Sequence, residues 1–420
     1  MKSLPVLAMA ICMNCLPATT MGQVEVKSNN FQAVFNGRVL TDAGFCMGNS
    51  YQKLANSVCL KQVALVTNIR VGEHLIGKAE IDYTGGVINL LDNYIGYEFN
   101  KKWNVKAGFF QEGFSMEMLN SYKDLLFMER TVSVSALAPG HHVGVQAIYQ
   151  PNEFMFTGGI HFQRVMNSGD KSISDENYRK GISEGYSLTG RAVWMHLNEQ
   201  KSYGIHLGAA LSYRTPKTDV TGTDGHQLHY SASEAGTHRL TFMDTGTITD
   251  VNHEFLSGVE AAMYWHRWRV QGEYIYNVIS RGSLSDANLQ GGYLQAAYLL
   301  GGTHKIDRSR GAFTQPVVGK KGALEFAARY DYADFNSHDI CGGRSRQYTV
   351  GMNYYINNYL KVMLNYSYVD YDANANGNGT LFIGKNEAGE PTSNPTEVSA
   401  IYGKPGNRFS TINLRFQIRF

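Results

Sequence analysis

Ser410-Thr411-Ile412-Asn413-Leu414-Arg415-Phe416-Gln417-Ile418-Arg419-Phe420 closes the chain. Side chains alternate across a strand with a period of two, so Ile412, Leu414, Phe416, Ile418 and Phe420 share one face. Thr411, Asn413, Arg415, Gln417 and Arg419 share the other. One face is oily and the other carries two arginines. A strand of this kind, ending on an aromatic side chain, fits the closing strand of a membrane barrel. There the apolar positions meet lipid and the polar positions meet water.

The same alternation recurs upstream. Leu360, Val362, Leu364, Tyr366 and Tyr368 oppose Lys361, Met363, Asn365 and Ser367. Leu324, Phe326, Ala328, Tyr330 and Tyr332 oppose Glu325, Arg329 and Asp331, and Trp268, Val270, Tyr274 and Tyr276 oppose Arg267, Arg269, Gln271 and Glu273. The reading gives sixteen such strands, from 31–40 to 408–420, the even number that a closed antiparallel barrel with both ends on one side requires. The fold class is therefore all-β, a 16-stranded antiparallel transmembrane barrel with long external loops. The charged faces are expected to meet lumen water, with Arg267, Arg269 and Arg329 among the lumen cations.

Composition agrees. The hydrophobic fraction is 43% and mean hydropathy is −0.28. Beyond the N-terminus no run approaches the roughly 20 apolar residues of a transmembrane helix. The 26 Tyr, 20 Phe and 44 Gly, set against 9 Pro, suit interfacial aromatic girdles and glycine-bearing strands. A net charge of +2 is too small to imply a polyanion, so no nucleic-acid partner is expected. Residues 1–22 read as an export signal: Lys2, an apolar stretch from Leu4 to Leu16, then Thr20-Met21-Gly22 before a mature start at Gln23. Residues 23–420 form one barrel domain. Cys46 and Cys59 fall in one expected loop, where export permits a disulfide. No Cys-x-x-Cys survives beyond the signal, and neither metal nor cofactor is expected.

Connections sort by length. Asn100-Lys101-Lys102, Pro151-Asn152, 198–202, His266 and Asn357-Asn358 are tight, hence periplasmic; 112–142, 164–185, 214–254 and 370–407 are long, hence external. The 301–321 connection is long yet falls on the periplasmic side, so it either folds into the lumen or marks a miscount. A barrel of this width needs an inward-folded loop to narrow it, and 112–142 is expected to supply it, bringing Arg130, Lys123, Glu117 and Asp124 to a constriction. Lys305, Arg308 and Arg310 cluster in 301–321. They form a solvated turn, or an anion funnel if that segment folds inward.

Several stretches resemble the phosphate-selective porin O and P family. Phe35-Asn36-Gly37-Arg38-Val39 is similar to its first strand, Trp103 to Ser121 to its "vGqfk-pF-le-lTS" block, and Phe127-Met128-Glu129-Arg130 stands at its Glu-Arg pair. Gly291 to Thr303 resembles "GwYvQasYlLTGE", Gly322 to Asp331 resembles "GAwElaaRyd", and Val350 to Val362 resembles "lGlNwYln" with its following "vk". The resemblance implies an outer-membrane porin, commonly trimeric, that passes small solutes with an anion preference in some members. It places Arg38 and Arg130 among the pore cations. The family's expected lysine is Met118 here, its Arg-Arg pair is Val63-Ala64, "fRsRPE" reads Tyr230-Ser-Ala-Ser-Glu234, and "TGE" reads Gly302-Thr303-His304. One exposed cation contributes about 1 kcal/mol or less, and a desolvated phosphate needs several convergent donors. A general or mildly anion-preferring channel for small ions and solutes, set in outer-membrane lipid, therefore fits better than strict phosphate specificity. His196 and His206 lie near strand ends, but no spacing pairs a nucleophile with its base, so catalysis is not expected. Surface interaction through the 370–407 loop is the remaining alternative.

Overall fold

The computed structural model describes residues 24–48, 51–84, 87–162, 181–198, 200, 202–219, 226–233 and 240–420. The expected signal segment, with Gln23, lies outside them. Sixteen strands form the wall: β1 Phe31–Met47, β2 Ser57–Val71, β3 Leu75–Thr84, β4 Val87–Glu98, β5 Trp103–Gln111, β6 His141–Tyr149, β7 Phe154–Phe162, β8 Tyr186–Leu197, β9 Tyr203–Arg214, β10 Val251–Trp265, β11 Trp268–Arg281, β12 Ala287–Leu300, β13 Ala323–Ser337, β14 Ile340–Tyr355, β15 Leu360–Tyr371 and β16 Arg408–Arg419. Each pairs antiparallel with its sequence neighbour, and β16 closes the ring on β1 with Arg419 opposite Arg38. A short N-terminal strand, Val24–Ser28, covers the edge of β1 that β16 stops short of.

The two faces of the wall follow the alternation. On β16, Thr411, Asn413, Arg415 and Gln417 are buried while Phe416 and Ile418 are exposed to the outside. Outward aromatics gather at the end with tight turns, among them Trp103, Phe154, Trp265, Trp268 and Tyr354, as an interfacial girdle would. Gly37 faces outward beneath the terminal ring, and a Cβ there would stand 2.3 Å from Phe420 Cζ. The missing side chain at Gly37 makes room for the aromatic that ends the seam.

Strands run further than the alternation marked. The segment 333–345, where the alternation lapses, is the end of β13, a turn at His338 with positive φ, and the start of β14. Cys46 and Cys59 do not share a loop. They lie within β1 and β2, and Cys59 sits opposite Asp42, four residues before Cys46. At about 3.3 Å per residue that offset exceeds a disulfide's reach.

The 301–321 segment folds inward as a hairpin, Gly302–Asp307 with Ala312–Val318. Its Ile306 and Phe313 bury against Met155, Met195 and Tyr264 of the lumen wall. The strand count stands, and the parity exception is a plug. A second hairpin, Leu228–Ser233 with Thr241–Ile248, enters from the loop end, where Phe242 stacks on Tyr371 at 4.8 Å.

The lumen and its candidate pore site

Residues 112–140 leave β5 and run along the inner wall, carrying a short helix, α1 Val132–Leu137. The strands hold this loop by its backbone. Glu273 accepts from Met116 N at 3.0 Å, Glu117 N at 2.7 Å, Ser115 Oγ at 2.6 Å and Tyr293 Oη at 2.6 Å. Glu260 takes Met116 N on one oxygen and, on the other, Arg191 and His206. Farther along, Asp331 accepts from Val132 N, and Asn353 donates to Leu126 O. Lys361 Nζ donates to the carbonyls of Lys123 and Leu125. Arg415 grips Asp42 through two bonds of 2.7 Å and gives a third to Met128 O. Inward glycines provide space: a Cβ on Gly291 would stand 2.6 Å from Ser133 Cβ, and one on Gly351 would stand 3.0 Å from Phe127.

The charged face of β10 to β16 therefore does not meet water, as the alternation alone suggested. Arg329 is 5% exposed and Lys361 2%, beneath the loop, while Arg269 at 3% lies under Phe313 of the inward hairpin and Glu325 at 0% is held by Asn353 and Tyr355 of the wall. Buried ions need partners, and backbone carbonyls of the loop supply them to Arg329 and Lys361. Arg267 does not face the lumen at all. It sits exposed at the turn end and touches the outward Tyr298.

The open side lies along β2 to β5. A one-residue bulge leaves Lys61 without a cross-strand partner on β1, between Leu40 opposite Gln62 and Thr41 opposite Leu60. Bulges re-aim side chains, and Lys61 and Gln62 both line the lumen. Here a cavity of about 460 Å³ is bounded by Lys61, Asp82, Tyr122, Glu129, Arg130 and Ser231. Nearer the turn end, Lys78 bridges Glu80 at 2.8 Å and Asp92 at 2.7 Å. Lys106 is held by ring faces, 4.0 Å from the Phe110 centroid and 5.2 Å from that of Tyr94. Asp92, Lys78 and Arg310, the last at the tip of the inward hairpin, all lie within electrostatic range of Lys106.

The expected pore residues divide among these regions. Arg38 is 5% exposed and donates to Gln62 and Glu80, so it belongs to the wall network. Arg130 lines the cavity, stacked 4.4 Å from the Tyr122 centroid. It donates to the carbonyls of Glu117, Met118 and Asn120, rather than pairing with Glu129. Lys123 pairs with Asp124 at 2.7 Å. Burial alone would raise the Asp124 carboxyl, yet the Lys123 ammonium beside it holds it below its ordinary value. Burial pushes Lys123 below its own. Asp124 also accepts from Gln315 N at 3.2 Å, joining the loop to the inward hairpin. Arg310 is exposed and reaches Asp307, while Arg308 donates to Asn152 O and Lys305 stays exposed. Arg329 is buried against Glu129 O and the Phe127 ring. The sequence reading missed Lys61, Asp82, Tyr122 and Lys106. Strict alternation of Lys78, Glu80, Asp82 and Thr84 along β3, and of Asn104 and Lys106 along β5, carries the signal for the wall residues.

His196 meets Glu153 and Tyr203 at the turn end, and His206 is buried against Glu260. Among the described residues neither ring touches a serine or threonine hydroxyl.

Comparisons with known proteins follow the same outline. The sequence profile described as "Phosphate-selective porin O and P" matches residues 69–386. An uncharacterised protein of Caulobacter vibrioides is 29% identical over 304 residues, covering 70% of this chain and 58% of that protein, so this chain spans well under two thirds of its relative. The trimer form of OmpT from Vibrio cholerae superposes with a TM-score of 0.53 at 11% identity, covering 93% of this chain and 100% of that one. An anion-selective porin from Comamonas acidovorans gives 0.52 at 12% identity with the same coverage, 93% and 100%. At these identities the likeness is one of fold.

Proposed function

Because this chain belongs to the phosphate-selective porin O and P family, an outer-membrane channel by family and fold, we propose that it passes small solutes by passive diffusion with a mild anion preference. The observation that supports the preference is the open strip near the turn end. Lys78, Lys106, Lys123 and Arg310 gather there. The acids among them, Glu80, Asp92, Asp124 and Asp307, are each held by a cation. Fixed charges of one sign raise the local concentration of counter-ions. Lys106, without an acid at ion-pair distance among the described residues, contributes most to that excess.

Strict phosphate specificity is not part of the proposal. Most of the arginines that could converge on an anion, Arg38, Arg269, Arg329 and Arg415, are 5% exposed or less and already bonded to protein groups. The proposal further takes residues 1–22 as an export signal and the functional form as a homotrimer, as in the trimer form of Vibrio cholerae OmpT. It assigns no catalytic residue.

Planar-bilayer recordings of the purified protein test the proposal. A reversal potential in a KCl gradient should carry the sign of chloride preference, and added phosphate should leave the chloride current largely unblocked. Cation preference would overturn the reading. Block by low phosphate would show that specificity persists despite Met118 and the occupied arginines.

A further inference from the structure

The cavity at the loop end of the open side holds two charges that the protein leaves unmatched. Most ions around it are balanced. Lys61 pairs with Glu129 at 2.7 Å, and Glu129 also lies 3.4 Å from Arg415. Arg38 is engaged by Glu80 at 2.7 Å. Asp82 differs. It is 7% exposed and accepts only from neutral donors, Gln62 Nε2 at 3.3 Å and Thr84 Oγ1 at 2.9 Å. Among the described residues no cation comes within ion-pair distance of it.

Arg130 is the complement. Its Nε and one terminal nitrogen donate to carbonyl oxygens of the loop, which carry no net charge. Its other terminal nitrogen, Nη1, donates to nothing among the described residues. The barrel wall thus presents a carboxylate with no cation at ion-pair distance, Arg38 reaching it only through Gln62, and the loop presents a guanidinium edge without an anion. Both border one cavity of about 460 Å³, within the size of small-molecule sites.

Unmatched charges in confined, low-dielectric space attract ligands that match them, and an arginine edge favours a carboxylate or phosphate oxygen. A simple anion would find Arg130 but meet Asp82 and Glu129. A simple cation would find Asp82 but meet Lys61 and Arg130. We propose that this cavity binds a small dipolar solute, with its cationic group at Asp82 and its anionic group at Arg130, a zwitterion the size of an amino acid or dipeptide. Thr84, Ser135 and Ser231 add hydroxyls for its polar middle. The proposal rests on the chain being a diffusion channel and names the organic solute its mouth selects. Small inorganic ions still pass along the basic strip.

Full-length protein in planar bilayers under KCl tests this with three probes of similar size: glycylglycine, N-acetylglycinamide and succinate. Glycylglycine should block chloride current at a concentration about tenfold lower than either of the others, a difference of about 1.4 kcal/mol in binding. Asp82→Asn should remove that advantage and leave succinate the best blocker. Arg130→Lys should retain the advantage and Arg130→Gln should lose it. Since Arg130 also staples the loop, Asp82→Asn is the deciding variant, and its fold is checked by heat-modifiable gel mobility. Equal block by all three probes, or a glycylglycine advantage that survives Asp82→Asn, would overturn the proposal. A folded wild-type barrel that carries no current would instead overturn the channel reading.

Discussion

Two halves of one lumen treat the same residue types in opposite ways. On β15 and β16, Lys361 and Arg415 are covered; Lys361 donates to the carbonyls of Lys123 and Leu125, and Arg415 joins Asp42 to the carbonyl of Met128. On β2 to β5, Lys61 and Lys106 border the open passage, paired with one glutamate or laid on aromatic rings. The first half uses charge to hold an inserted loop against the wall. The second uses it to set what the remaining passage attracts. Alternation along a strand says which side chains point inward; it does not say whether water or protein waits there.

The sharpest way to break the distinction is to free the loop. Glu273→Ala removes the acceptor for Ser115, Glu117 and Tyr293 together and leaves Met116 N to Glu260 alone. Leaving such donors unmet costs about 1–3 kcal/mol each. The expected result is a loop detached at 115–117 and a single-channel conductance raised severalfold. An unchanged conductance in a folded barrel would mean that the other anchors suffice.

Arg415→Met tests the covered half by stability. It strands Asp42, 1% exposed, without its cation, and breaking a buried pair costs about 3–5 kcal/mol. Urea unfolding followed by gel mobility should shift accordingly. The matching change on the open side, Lys106→Glu, removes the contacts with the Phe110 and Tyr94 rings and should cost about 1–2 kcal/mol, well below the covered pair. It should move the reversal potential toward cations. A large stability loss with no change in selectivity would place Lys106 in the packed half.

The smallest effect expected concerns pH. Asp124 joins the loop to the inward hairpin through Gln315 N, and Lys123 holds its carboxyl below the ordinary value despite burial. A depressed carboxylate contributes stability above its unfolded pKa, about 3.9, and loses it as pH falls through the lower folded value. The junction should therefore persist from neutral pH down through the usual carboxylate range. Noise or substates in the open current should appear only below that range. Substates arising near pH 6 would assign the junction to another group.

The wall was legible because period-two alternation is local: each strand needed only its own residues, and the C-terminal eleven residues set the pattern. The strand ends were less so. At 333–345 the residues Asp334, Asn336, His338 and Arg344 resemble a polar loop, yet they extend β13 and β14 around a two-residue turn. The long 301–321 segment, anomalous by parity, was the visible trace of a plug. Its apolar Ile306 and Phe313, now buried in the lumen, were the residues that could have decided between insertion and miscount. The pore site was legible only in part. Arg130 stands out as a candidate because it lies on the inserted loop, but its bonds to carbonyls depend on how that loop curls. Lys61 escaped because a single-residue bulge shifts register without leaving a mark in composition. Arg329 was misassigned for the reason the two halves differ: what covers it is 200 residues away in sequence.

One comparison of modified channels tests the division of the lumen most directly. In a background with Cys46→Ser, Cys59→Ser and Cys341→Ser, Lys106→Cys and Thr349→Cys would each be exposed to a negatively charged thiol reagent during single-channel recording. Thr349 is 3% exposed on β14, cross-strand from Arg329, which the loop covers. Reagent is expected to lower chloride current through Lys106→Cys and to leave Thr349→Cys unchanged. Rapid modification at 349 with none at 106 would put the conducting path on the other side of the barrel.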